Sequence, residues 1–260
     1  MIRVLAALCI CLCGARAQSG IGAPRAGCLL GPDGFLRPVY GIAGAFLAGD
    51  SVTSGAVSAA CSEERALVKT EGALELRDGS LRLLARWEAP AGPALFAFAD
   101  NTRTAFVYYA STRDMIRIMG PRLPRTVLGS QSLGADVLAI ATPDLLHLLA
   151  VVREETGLWL VRMSLRDGTI ESRAPLDGVA APLALERNGT LVYGDGQELV
   201  VRRTDGVERR IALPAPALAI ERMGDSWLAL RLPGTGAPAA VRIEPGREGV
   251  FRVPLPEVAP

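Results

Sequence analysis

Residues 183–214, LALERNGTLVYGDGQELVVRRTDGVERRIALP, constrain the fold more than any other stretch of the chain. They hold four short apolar runs, each closed by a turn signal: Asn188-Gly189, Gly194-Asp195-Gly196, Asp205-Gly206 and Pro214. Asn-Gly and Asp-Gly suit two-residue hairpin turns, because their central residues tolerate positive φ and the resulting twist matches that of the flanking strands. Three such turns joining four strands predict one up-and-down antiparallel sheet.

The plan recurs. Apolar runs of four to eight residues bounded by Gly, Pro, Asn or Asp group into units whose first strands begin near Val57, Ala94, Val137, Leu183 and Ala217. The spacing is roughly 35–45 residues, the period of a four-stranded propeller blade. Asp78-Gly79, Asp167-Gly168 and Asp205-Gly206 all fall between the third and fourth predicted strands, a shared turn position that marks the units as repeats. The first two strands of each unit, such as 138–141 and 148–152, are nearly all apolar and read as buried on both faces. The third and fourth, such as 198–202 and 207–211, alternate more and read as outer strands. The expected class is all-β: a β-propeller-like array of four-stranded antiparallel blades, with five clear repeats and an N-terminal partial one over 28–49. Five blades fit the count, but the pattern leans to a six-bladed or an incomplete ring. A β-sandwich is the structural alternative, and it gives no reason for a four-strand period.

The N-terminus reads as an export signal. Arg3 supplies the positive region, residues 4–13 a short apolar run, and Ala15-Arg16-Ala17 the small-x-small cleavage pattern. The apolar run is shorter than the ~20 residues that span a bilayer. The expected organisation is a signal peptide over 1–17, an irregular Gly- and Pro-rich segment over 18–34 with a short strand at 28–30, and a propeller-like domain over 35–260. No transmembrane segment is expected after cleavage, and the location is periplasmic or extracellular.

Residues 35–50, FLRPVYGIAGAFLAGD, carry Leu36-Arg37-Pro38-Val39, Gly41, Gly44-Ala45, Leu47 and Gly49. This pattern resembles the opening of uncharacterised exported bacterial proteins with propeller-like β repeats, of the YVTN/WD-like class. The proline usual before the Gly-Ala pair is replaced by Ala43. The resemblance implies fold and export and brings no chemistry.

Of five cysteines, Cys9, Cys11 and Cys13 leave with the signal, and Cys28 and Cys61 remain. In an oxidising compartment these two form either a disulfide or a pair of buried free thiols. The formal charge of +1 becomes −1 once Arg3 and Arg16 are removed. That balance lacks the basic excess of a nucleic-acid binder, so none is expected as a partner.

Reactive constellations are sparse. His147 is the one histidine, and a His-based zinc, copper or iron site needs two or three imidazoles in most cases. Ser132 sits in Ser-Gln-Ser-Leu-Gly, where a nucleophile elbow requires Gly at the first position, held here by Ser130. Residues 20–27 are glycine-rich without matching G-x-G-x-x-G. Glu63-Glu64 and Glu154-Glu155 are adjacent pairs, which point to opposite faces of a strand. Asp177, Asp195 and Asp205 lie in glycine-rich turns without the spacing of a calcium loop. Arg202, Arg203, Arg209 and Arg210 face each other across one hairpin, either to meet an acidic partner or as a solvated edge. Asn188-Gly189-Thr190 fits a glycosylation pattern and reads as a turn. Trp87, Trp159 and Trp227 read as core packing ahead of a carbohydrate platform.

No catalytic, cofactor or metal residues are therefore assigned. The expected function is a non-enzymatic exported binding or scaffold module for an unknown protein or glycan. The alternatives are a propeller hydrolase or lactonase with a calcium-dependent acidic pore, and a repeat subunit completed by another chain.

Overall fold

The computed structural model describes residues 24–255, apart from 100–102, 123, 128–129, 135 and 235–236. The expected signal peptide, 1–17, lies outside the described residues. Within them the chain is a β-propeller of six antiparallel sheets.

Blade I holds β1 (Arg25–Leu30), β2 (Leu36–Ile42) and β3 (Ala45–Ala48). Blade II holds β4 (Ala56–Cys61), β5 (Arg65–Thr70), β6 (Ala73–Asp78) and β7 (Leu83–Glu88). Blade III holds β8 (Ala94–Phe98), β9 (Thr104–Tyr109), β10 (Asp114–Met119) and β11 (Arg125–Val127). A 3-10 turn, Ser130–Leu133, leads to blade IV: β12 (Asp136–Ala141), β13 (His147–Glu154), β14 (Gly157–Ser164) and β15 (Ile170–Pro175). Blade V holds β16 (Leu183–Leu185), β17 (Leu191–Asp195), β18 (Glu198–Arg202) and β19 (Glu208–Ala212). Blade VI holds β20 (Ala219–Arg222), β21 (Trp227–Arg231), β22 (Ala239–Arg242) and β23 (Gly249–Arg252). Every blade pairs its strands in sequence order, so the inner strands begin within two residues of the positions read from the repeats.

The turns depart from the expected type. Gly189 and Gly206 both take φ 84, while Asn188 and Asp205 stay out of the left-handed region. Gly189 N–H donates to the Glu186 carbonyl (2.9 Å) and Gly206 N–H to that of Arg203 (3.0 Å). Each hairpin is thus a type I turn closed by a left-handed glycine. Asn and Asp act through their side chains, accepting from Thr190 N–H (2.9 Å) and Val207 N–H (3.0 Å). Burial also differs from expectation: the third strands β6 and β18 are as covered as the second strands, and the wet face belongs to the fourth strands β7, β15 and β19. In blades II and V the neighbouring blades cover three strands deep, and the outermost strand carries most of the exposed residues.

The inner strands of blades II to VI lie side by side about the axis, β4 by β8, then β12, β16 and β20, and β20 returns to lie against β4. Blade I is built otherwise. Cys28 in β1 faces Cys61 at the end of β4, while Ala56 N–H at the start of β4 bonds the Gly34 carbonyl just beyond β1 (3.0 Å). β1 therefore runs against the inner strands, and β1–β3 match the second to fourth strands of a full blade. Among the described residues, blade I has no counterpart to an innermost strand. The short strand expected at 28–30 is part of β1, which starts three residues earlier, at Arg25, in a stretch otherwise expected to be irregular. Glycine disguised its start: a Cβ on Gly27 would come within 1.8 Å of the Met223 carbonyl oxygen, so the close approach of blade I to blade VI requires glycine there.

Six apolar clusters fill the six seams between blades. Cys28, Leu36, Ala66 and Val68 join I to II, and Leu67, Leu76, Phe98 and Val107 join II to III. Phe106, Tyr108, Leu148 and Val161 join III to IV, and Ala141, Val151, Leu183 and Tyr193 join IV to V. Val192, Leu199, Leu228 and Val241 join V to VI. The sixth cluster brings Leu29, Val39 and Phe46 of blade I against Met223, Ala229 and Ala240 of blade VI. Six blades in an open row would share five seams, so the ring is closed. At the closing seam the Phe46, Trp227 and Phe251 rings stack edge to face, 4.8–6.1 Å apart. Cys28 N–H donates to Met223 O (2.9 Å) and Ala48 N–H to Pro254 O (3.3 Å).

Candidate polar cleft and axial channel

The turns that follow the inner strands form an upper rim. Between blades V and VI this rim opens into a cleft of about 500 Å³, whose charged lining is Glu186, Arg187, Arg203, Arg222, Asp225 and Glu244. Glu186, 7% exposed, is reached by the Arg222 guanidinium from the next blade. Arg203 donates to Glu248 (3.1 Å), whose side chain is almost wholly buried and also faces Arg209 at 3.7 Å. Glu244 takes Arg242. Asp225 accepts from Glu63 N–H (3.1 Å), tying the blade VI turn to that of blade II, and its other oxygen is buried without a partner. The cleft thus carries three cationic and three anionic side chains at fixed positions.

Glu186 and Arg222 also stand at the mouth of the axial channel, which has a volume of about 250 Å³. Below them the wall mixes apolar and polar groups: Val57, Ser58, Leu95, Leu138, Ala184 and Ile220 come from the five inner strands, Leu30 from β1, and the Glu221 side chain joins them. Towards the lower rim a cavity of about 200 Å³ shares Leu30 and Glu221 with the channel and adds Leu29, Leu218, Leu230 and Leu232. Burial pushes the Glu221 carboxyl above its ordinary value, and the nearby Arg231 pulls it part of the way back.

The residues weighed for chemistry lie apart from this path. His147 lines a turn of blade IV, its Nδ1 at 2.8 Å from Asp144 and its Nε2 at 3.5 Å from Glu171. Both ring nitrogens are thus taken up by carboxylates of this chain. Burial pushes Asp144 up, but the His147 ring and the N–H groups of Leu146 and His147 outweigh it and hold the carboxyl below its usual range. Ser132 donates to the Gly168 carbonyl (3.1 Å). Glu154 takes Arg173, while Glu63 and Glu64 are exposed turn residues. Asp195 takes Arg210 (2.8 Å), Asp205 caps its own turn, and Asp177 offers its carbonyl to Arg202 (3.1 Å). Among the described residues no group of three or more His, Cys, Asp or Glu could hold a metal ion.

The four arginines of the blade V hairpin are all engaged by acids of this chain. Arg202 takes Glu208 (2.6 Å), Arg203 and Arg209 share Glu248, and Arg210 reaches Asp195 and Glu198 (2.7 Å). Trp87 and Trp159 pack against seam clusters. Of the glycine-rich stretch 20–27, Gly27 lies in β1 and residues 20–23 lie outside the described residues. Cys28 and Cys61 have Cα atoms 5.9 Å apart and sulfurs in bonding contact, inside the span of a disulfide.

Sequence reasoning passed over Glu186, Arg222, Asp225 and Glu244. One signal was present: residues 183–189 and 218–224 read LALERNG and LAIERMG, a Glu-Arg pair closing the first strand of consecutive repeats. The structure slides the two copies by two residues, because Glu186 opens one turn and Met223 the other. That slide lets Glu186 of one blade meet Arg222 of the next.

No family model matches the chain, and neither does any curated protein. Among solved structures the chain is similar to a protein of unknown function from Bacteroides caccae, with 11% identity over 89% of this chain and 99% of that one and a TM-score of 0.53. It is also similar to a streptogramin B lyase, with 13% identity over 89% and 83% of the two chains and a TM-score of 0.47. A catalytically inactive virginiamycin B lyase from Staphylococcus aureus with quinupristin shows 10% identity over 91% and 86%, with a TM-score of 0.49. At such identities the likeness to the Bacteroides caccae protein shows the propeller fold and nothing finer.

Proposed function

We propose that this chain is an exported, non-enzymatic binding module that takes a small ligand into the cleft between blades V and VI. The observation that carries the reading is the cleft itself, a preformed hollow of about 500 Å³ with charges of both signs held in place by neighbouring blades. The channel supports binding ahead of an acid-lined hydrolytic pore, because among the described residues that line it Glu186 and Glu221 are the two carboxylates. The closure of all six seams by this chain's own side chains supports a monomeric ring ahead of one completed by a second chain.

The experiment is a thermal-shift panel of small zwitterions, sugars and acidic or basic peptides, run on the mature protein and on Arg222→Met. Ligands that raise the melting temperature of the first and not of the second support the reading. Turnover of an ester, lactone or glycoside by the purified protein would overturn it. Cell fractionation with N-terminal sequencing tests export, with Gln18 expected as the first residue.

A further inference from the structure

The outer end of the seam between blades III and IV holds charges that the fold leaves unanswered. Arg117 in β10 and Arg125 in β11 stand directly opposite each other in the sheet. Their Cβ atoms are therefore about 5 Å apart, a spacing at which like charges destabilise the pair. Met115 and Val127, two residues along on the same face, sit in the cluster that joins blade III to blade IV. Both arginines thus stand on the face turned to blade IV. Arg166 meets them from that blade, on the turn between β14 and β15.

With Thr126, the three arginines border a hollow of about 270 Å³ over apolar Phe106 and Leu165, and no acid is among its lining. Among the described residues none of the three guanidiniums has an ion-pair partner. Blade V differs: Arg202, Arg203, Arg209 and Arg210 are each faced by a carboxylate. Asp167, next to Arg166 in sequence, is turned to its own hairpin and accepts from Thr169 N–H (3.1 Å). In the bare protein the three charges repel one another, and a ligand that brings two negative charges reverses the sign. The shape of the guanidinium narrows the class further. A carboxylate has two oxygens in one plane and matches a single fork, whereas a tetrahedral dianion offers oxygens that forks from different strands reach at once. The hollow exceeds the bulk of a bare ion, and the half-buried Leu165 leaves apolar surface for an organic remainder.

We propose that Arg117, Arg125 and Arg166 form a receptor for the dianionic phosphate monoester group of a ligand. The site lies two seams round the ring from the cleft between blades V and VI, so it stands or falls independently of the binding reading above. The monoester reaches it on a small solute or on a lipid head group. The recognised chemistry is the same, and the test separates the two sources.

The test is isothermal titration calorimetry of residues 18–260 at low ionic strength, where exposed charges are least screened. The probes are phenyl phosphate, above its second ionisation, and phenyl sulfate, which has the same shape and one charge fewer. One-to-one binding of the phosphate is expected, with the sulfate weaker by about tenfold or more. Arg125→Gln and Arg166→Gln should each weaken the phosphate by about tenfold or more. Arg125→Lys, which keeps the charge and loses the fork, should recover only part of that loss. Arg125 and Arg166 are exposed, and removing either relieves repulsion, so the Gln variants should melt no lower than wild type in phosphate-free buffer. Cosedimentation with phosphatidate vesicles separates the sources. Retention that phenyl phosphate releases assigns the lipid head group, and no retention assigns a soluble ester. Equal affinity for phosphate and sulfate, undiminished phosphate binding in both Gln variants, or a clear drop in both their melting midpoints without ligand overturns the receptor. Absence of phenyl phosphate binding to the folded protein overturns it outright and leaves the cleft reading untouched.

Discussion

Blade I has three strands and no axial one, so its attachment to blade II should depend heavily on the Cys28–Cys61 pair. The perturbation is Cys28→Ala with Cys61→Ala. The two residues are 33 apart in sequence, and closing a loop of that length removes denatured-state entropy worth about 3.7 kcal/mol at 25 °C. For a chain of this size each kcal/mol moves the midpoint by about 2–4 °C, so the double variant should melt roughly 7–15 °C below the oxidised protein. Scanning calorimetry of residues 18–260 with and without dithiothreitol, alongside the double variant, provides the measurement. Reduced wild type and double variant should coincide, and a thiol assay on the denatured oxidised protein should find no free sulfhydryl. Midpoints of all three within 2 °C would refute the reasoning, leaving the aromatic seam to blade VI as the sufficient anchor of blade I.

Three further outcomes follow from buried charge. Arg77 donates to Glu75 at 2.7 Å and to the Leu81 carbonyl at 2.8 Å, with both partners of the ion pair buried. Arg77→Met strands a carboxylate and should cost about 3–5 kcal/mol in denaturant unfolding, while Glu75→Met with Arg77→Met should recover most of it. Lys69, the only lysine, is wholly buried with its ammonium on the carbonyls of Thr70 and Glu71, and burial depresses its pKa below 10.5. The unfolded chain binds that proton more tightly, so Lys69→Met should gain about 1 kcal/mol near neutrality, an advantage that shrinks as pH rises towards 10.5; a clear loss on urea titration would contradict this. Glu221 has the opposite sign. Its folded pKa lies above the ordinary 4.5, so the folded state holds the proton longer and stability falls as pH rises through that raised value. Glu221→Gln should remove this slope, read as a variant that gains on wild type as the pH rises above the ordinary carboxyl value of 4.5.

Blades II to VI were legible in the sequence because each repeats the same local chemistry. A left-handed glycine and an Asx acceptor close hairpins such as those at residues 186–190 and 203–207, and apolar runs fill the inner strands. The turn type was misread because Asn188 and Asp205 act through side-chain oxygens, a role that composition cannot separate from positive φ. Leu81 shows the limit more sharply: it takes φ 63 in the blade II turn while buried in the I–II seam, so a leucine stands where other turns have glycine. Blade I was half hidden, since Gly27 and Gly41 look like breakers until the first is seen under the Met223 carbonyl of blade VI and the second under the Ala45 carbonyl of β3. The cleft left one trace in the sequence, the Glu-Arg pair repeated at Glu186-Arg187 and Glu221-Arg222. Glu186, Arg203, Asp225 and Glu244 come from four separate turns, and nothing local tells a Glu at a hairpin flank that an Arg from the next repeat will cover it.

The first and last blades meet without sharing a sheet. Each is drawn wholly from its own end of the chain, and packed rings with two main-chain hydrogen bonds form the joint. The molecule is in this sense a split washer whose cut ends are pressed together. Tension applied through the two termini should part it there first, with blade I leaving together with blade II, to which its sulfur is tethered, so that the axial passage is laid open along its length before any blade loses a strand.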